Sequence, residues 1–156
     1  MLNIVLILHN IRSAHNVGSI FRTAEGAGLK KVYLTGYTPM PKDKFERVNK
    51  EIAKTALGAE KIMEWRKFDN LETLISKLKK ENFEIVALEQ DRRAVDYRKA
   101  KFDGDIALIL GNEVGGVDPE IIQLCDHVIE IPMRGEKESL NVGVAAGIAI
   151  FRLLNV

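Results

Sequence analysis

Cysteine is all but missing from this chain: Cys125 stands alone, which excludes an internal disulfide framework and a multi-cysteine zinc site. A lone thiol fits a reducing, cytoplasmic setting and is expected to be a core residue rather than a nucleophile. Proline is sparse, with four in 156 residues, and neither a linker nor a low-complexity stretch divides the sequence. An excess of one charge is missing too. With 23 Lys and Arg against 22 Asp and Glu, the net charge of +1 supplies no global field, so a polyanionic partner would have to be held by local basic patches.

Long apolar runs are absent as well. Leu2 to Leu8 is too short to cross a bilayer and lacks a basic leader, while its β-branched content suits a buried strand. Val142 to Leu154 is strongly apolar, but about 13 residues of helix cover only about 20 Å and Arg152 interrupts them. Neither a signal peptide nor a membrane partner is expected. The familiar nucleotide-binding motifs are missing: no strand leads into G-x-G-x-x-G and no G-x-x-x-x-G-K-[ST] occurs. This disfavours a dinucleotide-dependent dehydrogenase and a P-loop NTPase.

What is present is an alternation of short apolar runs with segments of helical period, the pattern of an α/β protein whose mostly parallel sheet carries helices on both faces. We expect one domain over 1–156, without a separate RNA-binding domain, large enough to bury roughly two thirds of its unfolded surface. Strands are expected near 2–8, 31–34, 62–65, 84–88, 106–110 and 128–131. Val17, Ile20, Phe21, Ala24 and Ala27 recur at helical spacing, and so do Leu71, Leu74, Ile75 and Leu78, the latter behind a capping box of Asp69 and Glu72. Phe45 to Leu57 reads as a helix ending near Gly58. Asp118-Pro119 reads as a cap and first turn before Ile121, Ile122 and Leu124, and 142–154 as the last helix. Residues 89–105, with Arg92, Arg93, Arg98, Lys99 and Lys101, read as a mostly exposed loop or short helix.

Four short motifs stand out. They are Asn16-Val17-Gly18-Ser19-Ile20-Phe21-Arg22, then Gly111-Asn112-Glu113 with Gly115 and Gly116, then Ile131-Pro132-Met133, then Ser139-Leu140-Asn141-Val142-Gly143. Read alone, glycines after strands are weak signals, because tight turns need them for structural reasons. Taken together and in this order, with Lys54-Thr55-Ala56-Leu57-Gly58-Ala59 between them, the motifs resemble those of the SpoU or TrmH class of SPOUT RNA methyltransferases. The likeness covers almost the whole chain. Val114 departs from a frequent glycine and Val117 from a frequent leucine, which bears on subfamily and not on the candidate catalytic positions.

The resemblance implies a SPOUT fold with a deep C-terminal trefoil knot, a homodimer, and S-adenosylmethionine-dependent methyl transfer to a ribose 2′-oxygen of RNA. It implies cofactor contacts at Leu88, Gly111, Ile131, Met133 and Leu140, largely through main-chain groups. It implies a catalytic set of Arg22, Asn16, Glu113, Ser139 and Asn141, with no metal ligands. Arg22 would contact the substrate phosphate. Because a guanidinium has a pKa above about 12, it would act by electrostatic stabilisation, not as a base. Asn16 would tie the first motif, Glu113 would serve architecture more than proton transfer, and Ser139 and Asn141 would shape the last loop.

Each of these positions also has an ordinary structural role available, as helix cap, strand end or core residue. Arg12, Arg22 and the Arg92 to Lys101 stretch could hold phosphates, and Trp65 or Tyr97 could stack on a base. The RNA is tRNA or rRNA, with tRNA slightly favoured, and no DNA partner is expected. A non-catalytic RNA- or cofactor-binding protein of the same fold is the alternative. His9 and His15 are left without a role.

Overall fold

The alternation of apolar runs and helical segments folds into a three-layer arrangement. In the computed structural model, which describes residues 2–156, the order is β1 (Ile4–His9), α1 (Ala14–Gly26), β2 (Lys31–Thr35), α2 (Lys50–Ala56), α3 (Ala59–Ile62), β3 (Glu64–Phe68), α4 (Leu71–Lys80), β4 (Glu84–Leu88), β5 (Val95–Asp96), β6 (Ile106–Leu110), α5 (Pro119–Leu124), β7 (His127–Glu130) and α6 (Val142–Leu154). The strands form one sheet in the order β3-β2-β1-β6-β4-β7-β5. Every strand pair is parallel, and Leu108 of β6 stands in register with Leu6 of β1 and Val86 of β4. The order reverses beside β1: the chain first builds outward through β2 and β3, then returns to the other side.

A strand buried on both faces reads as an unbroken apolar run, because successive side chains enter opposite cores. Along β1, Ile4, Leu6 and Leu8 join a core with α1, α2, α3 and α6, whereas Val5 and Ile7 join a second core with α4 and α5. Fully burying each such side chain stabilises the fold by roughly 1.5–3 kcal/mol. Among the described residues no helix is long and apolar enough to cross a membrane.

Local chemistry moves several boundaries from their expected places. Residues 45–49 are not helical: Asp43 Oδ1 accepts from Phe45 N at 2.8 Å and from Arg47 N at 3.0 Å, closing a turn between the bridged Lys42 and Val48. The helix starts at Lys50 because Asn49 Oδ1 caps it, accepting from Glu51 N and Ile52 N, both at 3.1 Å. The single turn α3 then displaces the next strand to 64–68. Asn70, not Asp69, caps α4, with Oδ1 accepting from Thr73 N at 2.8 Å. Asp118 does hold the cap position of α5 with Pro119 behind it, but its side chain makes no capping bond. Inside the polar 89–105 stretch, Val95 and Asp96 pair with β7 as a short edge strand.

Candidate active site

Strands β4, β6 and β7 all end at one side of the sheet, beside the reversal in strand order, where ligand crevices of open α/β sheets form. A cleft of about 240 Å³ opens there. Leu88, Gly111, Ile131, Met133 and Leu140, the five positions expected to hold a cofactor, all line it. So do Glu113 and Ser139. Sequence distances of more than fifty residues thus collapse onto one concavity, because the loops after three neighbouring strands share it.

Gly111 also has a task in the turn that it opens. A Cβ at this position would lie 2.6 Å from the Gly116 carbonyl carbon and 2.6 Å from Val117 Cγ2. The glycine is therefore required by the turn folding back on itself. Across the turn, Glu89 Oε2 accepts from Val117 N at 3.0 Å and its Oε1 accepts from Gln90 N at 2.9 Å, while Gln90 Nε2 donates to the Glu138 carbonyl at 2.5 Å. These bonds lace the β4, β6 and β7 loops into one wall. Glu89 was not legible as a site residue from its type, since a glutamate after a strand is usually solvated.

A polar junction closes one end of the cleft. Ser13 caps α1, its Oγ accepting from Asn16 N at 3.1 Å. Glu113 accepts from Arg12 N at 3.1 Å, from Ser13 N at 3.2 Å and from Asn16 Nδ2 at 3.4 Å. Asn141 Nδ2 donates to Asn16 Oδ1 at 3.1 Å, and Asn141 Oδ1 caps α6 through Gly143 N at 2.9 Å. Partial burial pushes the Glu113 carboxyl up, but the surrounding N–H groups outweigh it and hold the group below the usual glutamate range. Glu113 is thus an ionised anchor at neutral pH, and the junction brings together Asn16, Glu113 and Asn141 of the expected set.

Arg22 and Ser139 stand apart from that junction. Arg22 is exposed on α1, and among the described residues it forms no side-chain hydrogen bond or ion pair and does not line the cleft. Ser139 lies in the cleft wall, with Asn141 and not Ser139 capping the last helix. His15 pairs with Glu51, outside the cleft. Cys125 is buried, and burial pushes its thiol up to about 11, which removes it as a nucleophile at neutral pH. Among the described residues no group of three or more His, Cys, Asp or Glu is placed to hold a metal ion.

Much of the basic stretch is committed to structure. Arg93 donates to the Ile122 and Cys125 carbonyls at 2.9 and 3.2 Å, satisfying the C-terminal end of α5, and Arg98 forks onto Asp96 with Nη2 to Oδ2 at 2.5 Å. Arg92, Lys99 and Lys101 stay exposed. Trp65 and Tyr97 are half-buried and pack against the core.

Residues 3–151 match the model of the SpoU rRNA Methylase family. The chain is 32% identical over 149 residues to a tRNA (guanosine(18)-2′-O)-methyltransferase of Aquifex aeolicus, covering 96% of this chain and 67% of that protein. It is 34% identical over 148 residues to a 23S rRNA (guanosine-2′-O-)-methyltransferase of Xanthomonas axonopodis, covering 95% of this chain and 57% of that one. Its fold superimposes with a TM-score of 0.87 at 27% identity on the AdoMet-bound rRNA methyltransferase from Sinorhizobium meliloti, across 96% of this chain and 55% of that one. The chain therefore spans between about half and two thirds of the length of these three proteins.

Proposed function

The chain belongs to the SpoU rRNA methylase family, and from that premise we propose that it transfers a methyl group from S-adenosylmethionine to a ribose 2′-oxygen of RNA. The observation that carries this reading is the convergence of Leu88, Gly111, Ile131, Met133 and Leu140 on a single cleft whose wall is tied to Asn16 and Asn141 through Glu113.

The residues fit that cofactor. Apolar side chains of Leu88, Leu110, Ile131, Met133, Leu140 and Val142 offer surface for an adenine ring. Glu89, Glu113, Glu130 and Glu138 place four carboxylates around the cleft, which suits a ligand carrying a sulfonium and an ammonium. When bound, the cofactor supplies an electrophilic methyl group. Glu113, held ionised by its N–H partners, fixes the cleft-side loop and does not donate a proton. The Arg22 guanidinium holds the substrate phosphate and stabilises the developing charge on the ribose oxygen, whose proton leaves to that phosphate.

Arg22 does not line the cleft of its own chain, and we propose that the arginine acting at that cleft comes from a second copy. This supports a homodimer. Exposed Val144 at 53% and Phe151 at 39% on α6 provide apolar surface for it. We further assign the trefoil knot to the C-terminal third, where the 131–141 segment is laced to the β4 loop before α6 packs against α1. We propose a cytoplasmic location, in keeping with an RNA substrate. The two named relatives act on tRNA and on 23S rRNA, and we retain a slight preference for tRNA.

The test is transfer of labelled methyl from S-adenosylmethionine to total tRNA and, separately, to rRNA, followed by nucleoside mass spectrometry. A 2′-O-methylated nucleoside that is lost in Arg22→Ala establishes the reaction and names the RNA. Cofactor binding without transfer to either RNA points to a binding protein of the same fold, and no cofactor binding overturns the reading.

A further inference from the structure

We propose that Tyr37 is a stacking platform for an unpaired nucleobase of the RNA presented at the cleft, an inference that rests on the RNA-methyltransferase reading above. Tyr37 is 58% exposed, so burial does not explain an aromatic side chain there. Its two ends are nevertheless fixed. Asn112 Nδ2 donates to Tyr37 Oη at 2.6 Å, and Tyr37 N donates to Asn10 Oδ1 at 3.1 Å. Asn112 lines the cleft, which places the ring within one hydrogen bond of the cleft wall.

The surrounding backbone is shaped for this placement. Asn10 sits in the left-handed region at φ 55°, uncommon for a non-glycine residue, and Gly36 at φ 61° lies so close that a Cβ would come 1.7 Å from Asn10 Oδ1. On the other side Thr38 is 2% exposed, its hydroxyl within 2.8 Å of the Leu8 carbonyl and accepting from Ile11 N at 3.1 Å. The same Asn112 side chain also donates to the Asn10 carbonyl at 3.0 Å, closing the ring of contacts. A rigid aromatic face in solvent beside a ligand cleft is what base stacking needs.

The nearby loop supplies charge for the strand that carries the base. Of Lys42, Lys44 and Arg47, which follow Tyr37, the first and last pair with Glu46 and Asp43, and Lys44 has no carboxylate partner among the described residues. Phe45 is 65% exposed, but Lys44 Nζ and Arg47 Cζ stand 5.1 and 5.0 Å from its ring centroid, and no bond links it to the cleft. Tyr37 is therefore the aromatic residue positioned to receive a base.

Fluorescence anisotropy with a ten-nucleotide oligoadenylate and an abasic ribose-phosphate decamer tests this. Wild-type protein is expected to bind the base-bearing strand at least about fivefold more tightly, the lower end of a single stacking contact. Tyr37→Ala should bring that ratio close to one and Tyr37→Phe should keep most of it, with cofactor affinity by calorimetry unchanged in both. An unchanged ratio in Tyr37→Ala, or no base-dependent binding by wild type, overturns the inference. If wild type methylates RNA while that ratio is unchanged, the enzyme reading stands and only the stacking role fails. If wild type neither binds cofactor nor transfers methyl, the enzyme reading fails and takes the stacking role with it.

Discussion

Asn141 and Asn16 face each other across 125 positions of sequence, with Asn141 Nδ2 donating to Asn16 Oδ1 at 3.1 Å. Each amide spends its other half on a different partner. Asn141 Oδ1 caps α6 at Gly143 N and Val144 N, and Asn16 Nδ2 donates to Glu113. Two helix starts and the turn after β6 therefore hold one another in place, and the cleft loops are positioned before any ligand arrives.

Replacing Asn141 separates capping from linkage. Asn141→Ala loses the cap, at about 1 kcal/mol, and should lower Tm by a few degrees. Asn141→Asp keeps a capping oxygen at a helix N-terminus, where a negative charge is favoured. It cannot donate to Asn16, and Asn16 cannot turn its amide without presenting oxygen to Glu113. Near wild-type Tm with about tenfold weaker cofactor binding by calorimetry is the expected pairing for the aspartate, since a tenfold loss needs only about 1.4 kcal/mol.

Glu113→Gln removes one accepting oxygen and turns an amide donor toward N–H groups that need acceptors. Hydrogen bonds to charged groups contribute about 1.5–3 kcal/mol, and partial exposure argues for the lower part of that range. The pH dependence has a definite sign. Because the folded-state carboxyl sits below its ordinary value of 4.5, its contribution is complete above that value and is lost as pH falls through the folded value. Denaturation profiles of wild type and Glu113→Gln should converge on acidification below about pH 4.5.

The sheet was readable from sequence because its central strands are buried on both faces and so carry no polar interruption. The helix at 50–56 was misplaced because Asp43 and Asn49 bind local backbone more strongly than the apolar spacing pulls Phe45 into a helix. The candidate cofactor positions were legible only through the motifs, since strand-end leucines and a methionine carry no chemical signature. Glu89, Ser13 and Tyr37 escaped notice for a related reason. Their roles depend on Val117, Asn16 and Asn112, partners that spacing along the chain does not reveal for the distant pairs.

Gly111→Ala should fail through the turn. The added Cβ would meet the Gly116 carbonyl carbon at 2.6 Å, a backbone atom that cannot swing aside. Overpacking of this kind costs roughly 1–3 kcal/mol. Reduced Tm together with weakened cofactor binding is expected, and a lowered affinity with unchanged Tm would instead locate the clash in the cleft.

His9 should make the protein less stable on mild acidification. Burial lowers its pKa and the Asp118 carboxylate, 4.0 Å away, only partly offsets that. The unfolded chain takes up the proton first, near 6.5, so stability falls as pH drops below that value and levels off beneath the folded value. The His9 imidazole resonances should report a folded pKa below 6.5. A folded value above it would mean that Asp118 governs the ring.

Arg22 gives the sharpest test of the proposed dimer, because its side chain is exposed and does not line the cleft of its own chain. Arg22→Ala should bind cofactor normally and transfer no methyl. Leu140→Arg, at a half-open position in the cleft wall, should fold and fail to bind cofactor, since bulk and positive charge enter the space a cationic ligand needs. Co-expressed with different tags and purified through both, the two variants form heterodimers. One site then combines an intact cleft with an intact arginine from the other copy, so about half of wild-type activity should return from two inactive chains. If Arg22 acts within its own chain, neither site is complete and the heterodimer stays inactive.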